Sequence, residues 1–230
     1  MQLVNLPIYL LNDKLSFPPV DGAEDGIVAV GGDLSPERLL LAYRSGIFPW
    51  YNEEDPILWH SPEERFVLML DDLHISKSMR RVLNSKKFSV TFDADFNFVI
   101  QQCAAVKRKE EAGTWITADM IEAYTTLHYL GFAHSVEVWH NEKIVGGIYG
   151  VSLGKCFFAE SMFHTVTNAS KFAIIKLVEF LNQQDFHFID AQVYTEHVAS
   201  LGAKEIPRHE FIEMLHNSLK SDNRTGKWTI

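Results

Sequence analysis

His134-Ser135-Val136-Glu137-Val138-Trp139 alternates polar and apolar residues, Asn141-Glu142-Lys143 makes a turn, and 144–153 runs apolar and glycine-rich before Gly154 and a further apolar run over 155–162. Period-two alternation punctuated by turn residues is the pattern of consecutive antiparallel strands. Three strands in hairpin succession form the middle of a sheet. The flanking segments must then cover its faces.

Downstream, Asn168 is placed to cap a long amphipathic helix whose apolar positions are Ala169, Phe172, Ala173, Leu177 and Leu181. The stretch 186–192 reads as a short strand, 195–201 as a short helix ended by Gly202, and about 208–219 as a last helix. Upstream, 66–70 and 88–92 read as strands, while 76–83 and 96–106 have helical spacing. Thr117 or Asp119 opens a further helix that Gly131 closes. The first sixty residues are rich in turn signals, with one clear helix from Ser35 (N-cap) and Pro36 to Gly46. The pattern predicts an α+β fold, a curved and mostly antiparallel sheet flanked by helices. The aromatic, proline-bounded segment 48–62 marks the expected seam between a small N-terminal domain (1–62) and a larger one (63–230).

The 230 residues are 47% hydrophobic and 22% charged, with a net charge of -9. There is ample apolar material for a core, so general disorder is excluded. No uninterrupted apolar run reaches membrane-spanning length, and the first residues lack the basic start and cleavage site of a signal peptide. Two cysteines suit a reducing cytoplasm, and the ten histidines form no zinc-type cluster with them. The acidic balance argues against general coating of nucleic acid but leaves room for a local basic patch. Lys77, Arg80, Arg81, Lys86 and Lys87, and the run Lys107-Arg108-Lys109, are either solvated helix faces or such a patch.

Three stretches place polar groups in apolar β context. Glu160 lies among Phe157, Phe158 and Phe163, so it either points to solvent or has a partner and a task. Asp190 and Gln192 are two apart and share one face if 186–192 is a strand. Gly146, Gly147 and Gly150 signal a bulge or a close backbone approach, without the helix context of a dinucleotide or phosphate loop. His60 and His164 adjoin these signals but form no evident triad.

Val28-Ala29-Val30-Gly31-Gly32-Asp33-Leu34, Gly46-Ile47-Phe48-Pro49-Trp50 and Leu58-Trp59-His60-Ser61-Pro62 resemble the N-terminal signature of leucyl/phenylalanyl-tRNA–protein transferases. His134 to Trp139, Val145 to Val151, Glu160-Ser161-Met162-Phe163, Asn168-Ala169-Ser170-Lys171, Ile189-Asp190-Ala191-Gln192 and Ser200-Leu201-Gly202-Ala203 resemble its second half in the same order. The resemblance covers about residues 5–215. His60 stands where the family commonly has a second tryptophan, Ala191 where many members have cysteine, and His164 where many have serine.

The resemblance implies transfer of leucine or phenylalanine from aminoacyl-tRNA to a protein with N-terminal arginine or lysine, marking it for degradation. It implies an acetyltransferase-like (GNAT-like) C-terminal domain, a monomer, and no cofactor, since the donor ester is already activated. It places Asp190 and Gln192 at the reaction centre with Glu160 beside them. It also assigns Ile148, Phe157, Leu177 and Leu181 to the aminoacyl side-chain pocket and Trp50 and Trp59 to the tRNA 3′ end. The basic segment 77–87 would then meet acceptor-stem phosphates. In the expected mechanism Gln192 hydrogen-bonds and aims the attacking amine, and Asp190 orients the Gln192 amide. Two other readings stand beside this one. An acyl-CoA transferase would need a glycine-rich loop where His164-Thr165-Val166-Thr167 stands, and a non-catalytic reader of protein N-termini would not need the Asp190–Gln192 pair.

Overall fold

The computed structural model describes residues 9–106 and 115–229, so Lys107-Arg108-Lys109 lies outside the described residues. In chain order the elements are β1 (Leu10–Leu11), β2 (Ile27–Gly31), α1 (Pro36–Arg44), β3 (Phe48–Pro49), β4 (Leu58–His60), β5 (Glu64–Met69), α2 (Lys77–Asn84), β6 (Ser89–Phe92) and α3 (Phe96–Ala104). There follow α4 (Ala118–Tyr129), β7 (Ala133–His140), β8 (Lys143–Leu153), β9 (Cys156–His164), α5 (Ala169–Gln183), β10 (Phe188–Asp190), α6 (Glu196–Ala199), β11 (Lys204–Pro207) and α7 (Arg208–Ser218). The fold is α+β, with a small N-terminal part, as the sequence pattern predicts.

The decisive stretch is the antiparallel meander β7-β8-β9 at the centre of a seven-stranded sheet ordered β11-β5-β10-β9-β8-β7-β6. A four-stranded sheet, β1-β2-β4-β3, carries the N-terminal part. Helices cover both faces of the large sheet. On one face Val99, Ile100, Tyr124, Leu127, Phe211 and Leu215 join Leu39, Tyr43 and Trp59 of the N-terminal part in one buried cluster. On the other, α5 buries Phe172, Ala173, Leu177 and Leu181 against Val136, Ile148 and Phe157. Each buried Val, Leu, Ile or Phe among them contributes about 1.5–3 kcal/mol by leaving water.

Two local expectations are corrected. Asn168 occupies the start of α5, but its φ of +74° turns its side chain away from capping, and it makes no side-chain cap bond; asparagine tolerates this left-handed backbone. The strand expected over 186–192 ends at Asp190. There the Asp190 carboxylate accepts the Gln192 main-chain N–H at 2.9 Å, and Val193 N–H closes a tight turn onto Ala191 O at 2.7 Å. Both bonds take the chain off the ladder to β9, while Ala191 N–H and Gln192 O still bond Phe66 of β5 at 2.8 and 3.2 Å. Strands β1 to β4 and β11 are too short, or too turn-rich, for alternation to reveal them.

Both uses of glycine occur in β8. A side chain at Gly146 would meet Ala169 Cβ at 2.6 Å, so its absence lets the start of α5 pack on the sheet. At Tyr149/Gly150 the register to β9 shifts: Tyr149 pairs with Ser161 and Gly150 with Ala159, leaving Glu160 as the extra residue of a bulge.

Candidate active site

The site lies where two neighbouring strands part. β10 runs parallel to β9 only from Phe188, opposite Cys156, to Asp190, opposite Phe158. β9 continues to His164 while the chain after Asp190 turns away. The opening becomes a cavity of about 700 Å³, the size range of a site for a drug-sized ligand. Leu68, Ile148, Ile174, Ile189 and Val198 give it an apolar wall, Phe48 and Trp50 reach it from the N-terminal part, and Glu160 and Gln192 supply polar groups.

Local backbone geometry aims those two groups. The bulge re-aims Glu160, and the turn holds Gln192 at φ +64°, which is unusual for a side-chain-bearing residue. Gln192 Nε2 donates to Glu160 Oε1 at 2.8 Å. That commits the amide N–H₂ to the carboxylate and leaves the amide oxygen as the acceptor for a ligand.

Glu160 has hydroxyl and amide partners and, among the described residues, no cation bonded to it. Tyr124 donates to its Oε2 at 3.0 Å, and the Tyr124 hydroxyl in turn bonds that of Tyr43. With the Tyr124 proton committed to Glu160, Tyr43 is the donor in that second bond. Burial pushes the Glu160 carboxyl up to about 7, and the nearby Asp190 charge adds to the rise. The tyrosine hydroxyls and the Gln192 amide oppose it. Burial also holds both tyrosines well above the ordinary phenol value, so they remain donors.

Asp190 is handled differently. Its two oxygens accept from Arg65 Nε at 2.8 Å and Nη2 at 2.6 Å, a bidentate pair buried at both ends. Arg65 also donates to Gly46 O at 3.1 Å and lies between the rings of Phe48 and Phe211, 4.7 and 4.4 Å from their centroids. Asp190 is 0% exposed and does not line the cavity. It orients the Gln192 backbone, while Glu160 orients the Gln192 side chain. This corrects the expectation that Asp190 orients the amide.

Other candidate residues fall in different places. Ile148 and Trp50 line the cavity, Trp50 being 37% exposed. Trp59 is fully enclosed: its Nε1 donates to Gly31 O at 2.8 Å and its ring meets the edge of Phe17. It therefore offers no face to a base, a correction to its expected stacking role. Phe157 lies below the point where the strands part, against Trp228. Leu177 and Leu181 extend the α5 stripe that reaches the cavity at Ile174, but lie roughly 5 and 10 Å further along at about 1.5 Å per residue. All three are core beneath the cavity instead of its wall: the period-3.6 stripe of α5 continues past the opening, and Phe157 sits where β9 is still paired with β10. Lys77, Arg80, Arg81, Lys86 and Lys87 are exposed on and just after α2, none of them at the cavity. His60 Nε2 bonds Trp50 O at 3.0 Å, and burial lowers the ring's tendency to take a proton.

Sequence reasoning missed Arg65, Tyr43 and Tyr124. Arg65 shares a strand face with Val67, and Tyr43 follows Leu39 by one helical turn. A charge or hydroxyl on an inward-facing period is the available signal, because such groups need a buried partner.

Two family profiles match the chain: one described as the leucyl/phenylalanyl-tRNA protein transferase N-terminal domain over residues 32–63, the other as leucyl/phenylalanyl-tRNA protein transferase over 67–216. Proteins called leucyl/phenylalanyl-tRNA–protein transferase from Syntrophotalea carbinolica, Myxococcus xanthus and Flavobacterium johnsoniae are 54%, 52% and 54% identical to it. The alignments span 93%, 97% and 90% of this chain and 93%, 97% and 99% of theirs. Among solved structures the likeness is distant: the L-PGS from Bacillus licheniformis gives a TM-score of 0.39 at 15% identity, over 84% of this chain and 64% of that one. A cleft that aims a carboxylate and an amide into an apolar pocket, on a chain with these relatives, is that of a group-transfer enzyme. The chain belongs to the leucyl/phenylalanyl-tRNA–protein transferase family.

Proposed function

We propose that the cavity joins leucine or phenylalanine, delivered as an ester on tRNA, to the α-amine of a protein beginning with arginine or lysine. The product carries a new N-terminal residue that marks it for degradation. The observation that carries the reading is the Glu160–Gln192 bond at the edge of an apolar cavity. A GNAT-like arrangement of residues 63–230 behind a small domain of residues 1–62, and a cytoplasmic setting, belong to the same reading.

The chemistry is aminolysis of an ester. The amine nitrogen bonds to the ester carbonyl carbon, the bond from that carbon to the ribose oxygen breaks, and the proton lost by nitrogen ends on the ribose hydroxyl. Gln192 Oε1 accepts from the amine and aims it; a neutral amide is a good acceptor and a very poor base. Glu160, ionised above about 7, takes the proton and passes it to the leaving oxygen. Its charge also favours a cationic N-terminal residue, a role that Asp190, covered by Arg65, cannot share. The apolar wall receives the leucine or phenylalanine side chain, with Phe157, Leu177 and Leu181 setting its floor from below. Holding amine and ester together is worth roughly 7–11 kcal/mol in such reactions. Trp50 stacks on the terminal adenine, and the α2 cations meet backbone phosphates.

The test is transfer of radiolabelled leucine from leucyl-tRNA to peptides with N-terminal arginine, lysine or alanine. Transfer to arginine and lysine alone, lowered about a hundredfold or more by Gln192→Ala, is the expected result. Equal transfer to alanine, or an undiminished Gln192→Ala enzyme, overturns the reading.

A further inference from the structure

The cavity has a second polar corner that the transfer chemistry does not use. Ser170, in the first turn of α5 and 1% exposed, places its hydroxyl 3.2 Å from His164 Nδ1 and 3.2 Å from His197 Nε2. The three side chains come from β9, α5 and α6, and all three line the cavity. Among the described residues, neither His164 Nε2 nor His197 Nδ1 has a hydrogen-bond partner in the protein. Lys171 stands beside them with its Nζ on Ser200 Oγ at 2.7 Å.

A hydroxyl has one proton, so Ser170 donates to one ring and accepts from the other. An anion held by both outer ring nitrogens needs hydrogen on His164 Nε2 and on His197 Nδ1; His197 Nε2 then accepts from Ser170, and Ser170 accepts from His164 Nδ1–H. The chain of bonds thus makes both outer nitrogens donors at once, with a single charge, on His164. His197 itself stays neutral: burial, with Lys171 and His164 nearby, lowers it to about 4. The corner is thus a one-charge, two-donor cradle suited to an anion bearing adjacent oxygens.

We propose that His164, Ser170 and His197 form a subsite for the phosphodiester of the donor's terminal nucleotide. The inference rests on the cavity being the transfer site. His164 lies four positions beyond Glu160 on β9, roughly 13 Å of strand at about 3.3 Å per residue. That is the span of one nucleoside, from its 3′ ester to its 5′ phosphate, with a hydrogen bond at each end. A cationic acceptor at Glu160 and an anionic donor at His164 would then fix the direction in which the two substrates enter.

The experiment uses two minimal donors, 3′-O-leucyl adenosine with a 5′-hydroxyl and the same compound with a 5′-methyl phosphate, against an N-terminal arginine peptide. The wild-type enzyme should prefer the phosphorylated donor by about tenfold or more in kcat/KM, the scale of a charge-assisted hydrogen bond. The double variant His164→Ala/His197→Ala should bring the ratio to about one. Ser170→Ala, which keeps both rings and breaks only the chain between them, should remove most of the preference and carries the test if the double variant does not fold. No preference in the wild type, or one untouched by these substitutions, overturns the subsite. Loss of transfer from intact leucyl-tRNA to arginine peptides in the wild type would instead overturn the transfer reading, and the subsite with it.

Discussion

Asp190 and Glu160 are both buried carboxylates near the point where β9 and β10 part, yet they are held in opposite ways. Asp190 faces a guanidinium that grips both of its oxygens. Glu160 faces two phenols and an amide, which supply hydrogen bonds but no positive charge. The first arrangement makes a fixed ion pair, the second a carboxyl poised to gain or lose a proton near neutrality. Burial alone therefore does not decide what a carboxylate does; the charge of its partner does.

The largest expected effect comes from breaking the ion pair. Arg65→Met leaves Asp190 buried without its cation and should cost about 3–5 kcal/mol in urea unfolding. Adding Asp190→Leu should restore most of that stability but not transfer, because the Gln192 turn loses its anchor. Equal stability of the single and double variants would break the contrast. The next largest effect is on transfer itself. Tyr124→Phe removes a hydrogen bond to a charged group, worth about 1.5–3 kcal/mol, and should slow transfer at pH 7 about tenfold or more. It should also shift the Glu160 ionisation upward, since Tyr124 stabilises the carboxylate, so the loss should shrink at higher pH.

A third test reads the pH profile. Glu160 must lose a proton near 7, and the acceptor amine must lose one near about 7.7–8.0. The logarithm of kcat/KM should rise with a slope of about two below both values and about one in Glu160→Gln, where only the amine titrates. A slope of one in the wild type would remove Glu160 as the proton acceptor. A last pair of substitutions separates the two tryptophans by what each one loses. Trp50→Ala should weaken donor binding by about 1–3 kcal/mol without lowering stability. Trp59→Ala should lower stability by about 3–5 kcal/mol, because its ring is enclosed core.

Much of this was legible beforehand, for particular reasons. The meander 134–162 announced itself because half-buried antiparallel strands must alternate. Glu160 stood out as a charge among aromatics. Asp190 and Gln192 were expected to meet on one face of a strand, and they do share one corner, but through a turn that alternation cannot show. Arg65 was invisible as the partner of Asp190 because 125 positions separate them, and no local pattern records such a pairing. Trp59, Leu177 and Leu181 went astray for the converse reason. An aromatic signature or an apolar stripe says that a residue is buried, not whether it faces a ligand or the core.

Arg65 has one last consequence, for synthesis on the ribosome. Its partners are Gly46 and Phe48 in the N-terminal part, Asp190 at the end of β10, and Phe211 in the final helix. The guanidinium cannot be fully seated until residue 211 has left the exit tunnel. Closure of the clasp therefore waits on α7, and a chain released before that helix would leave one face of the Arg65 guanidinium uncovered.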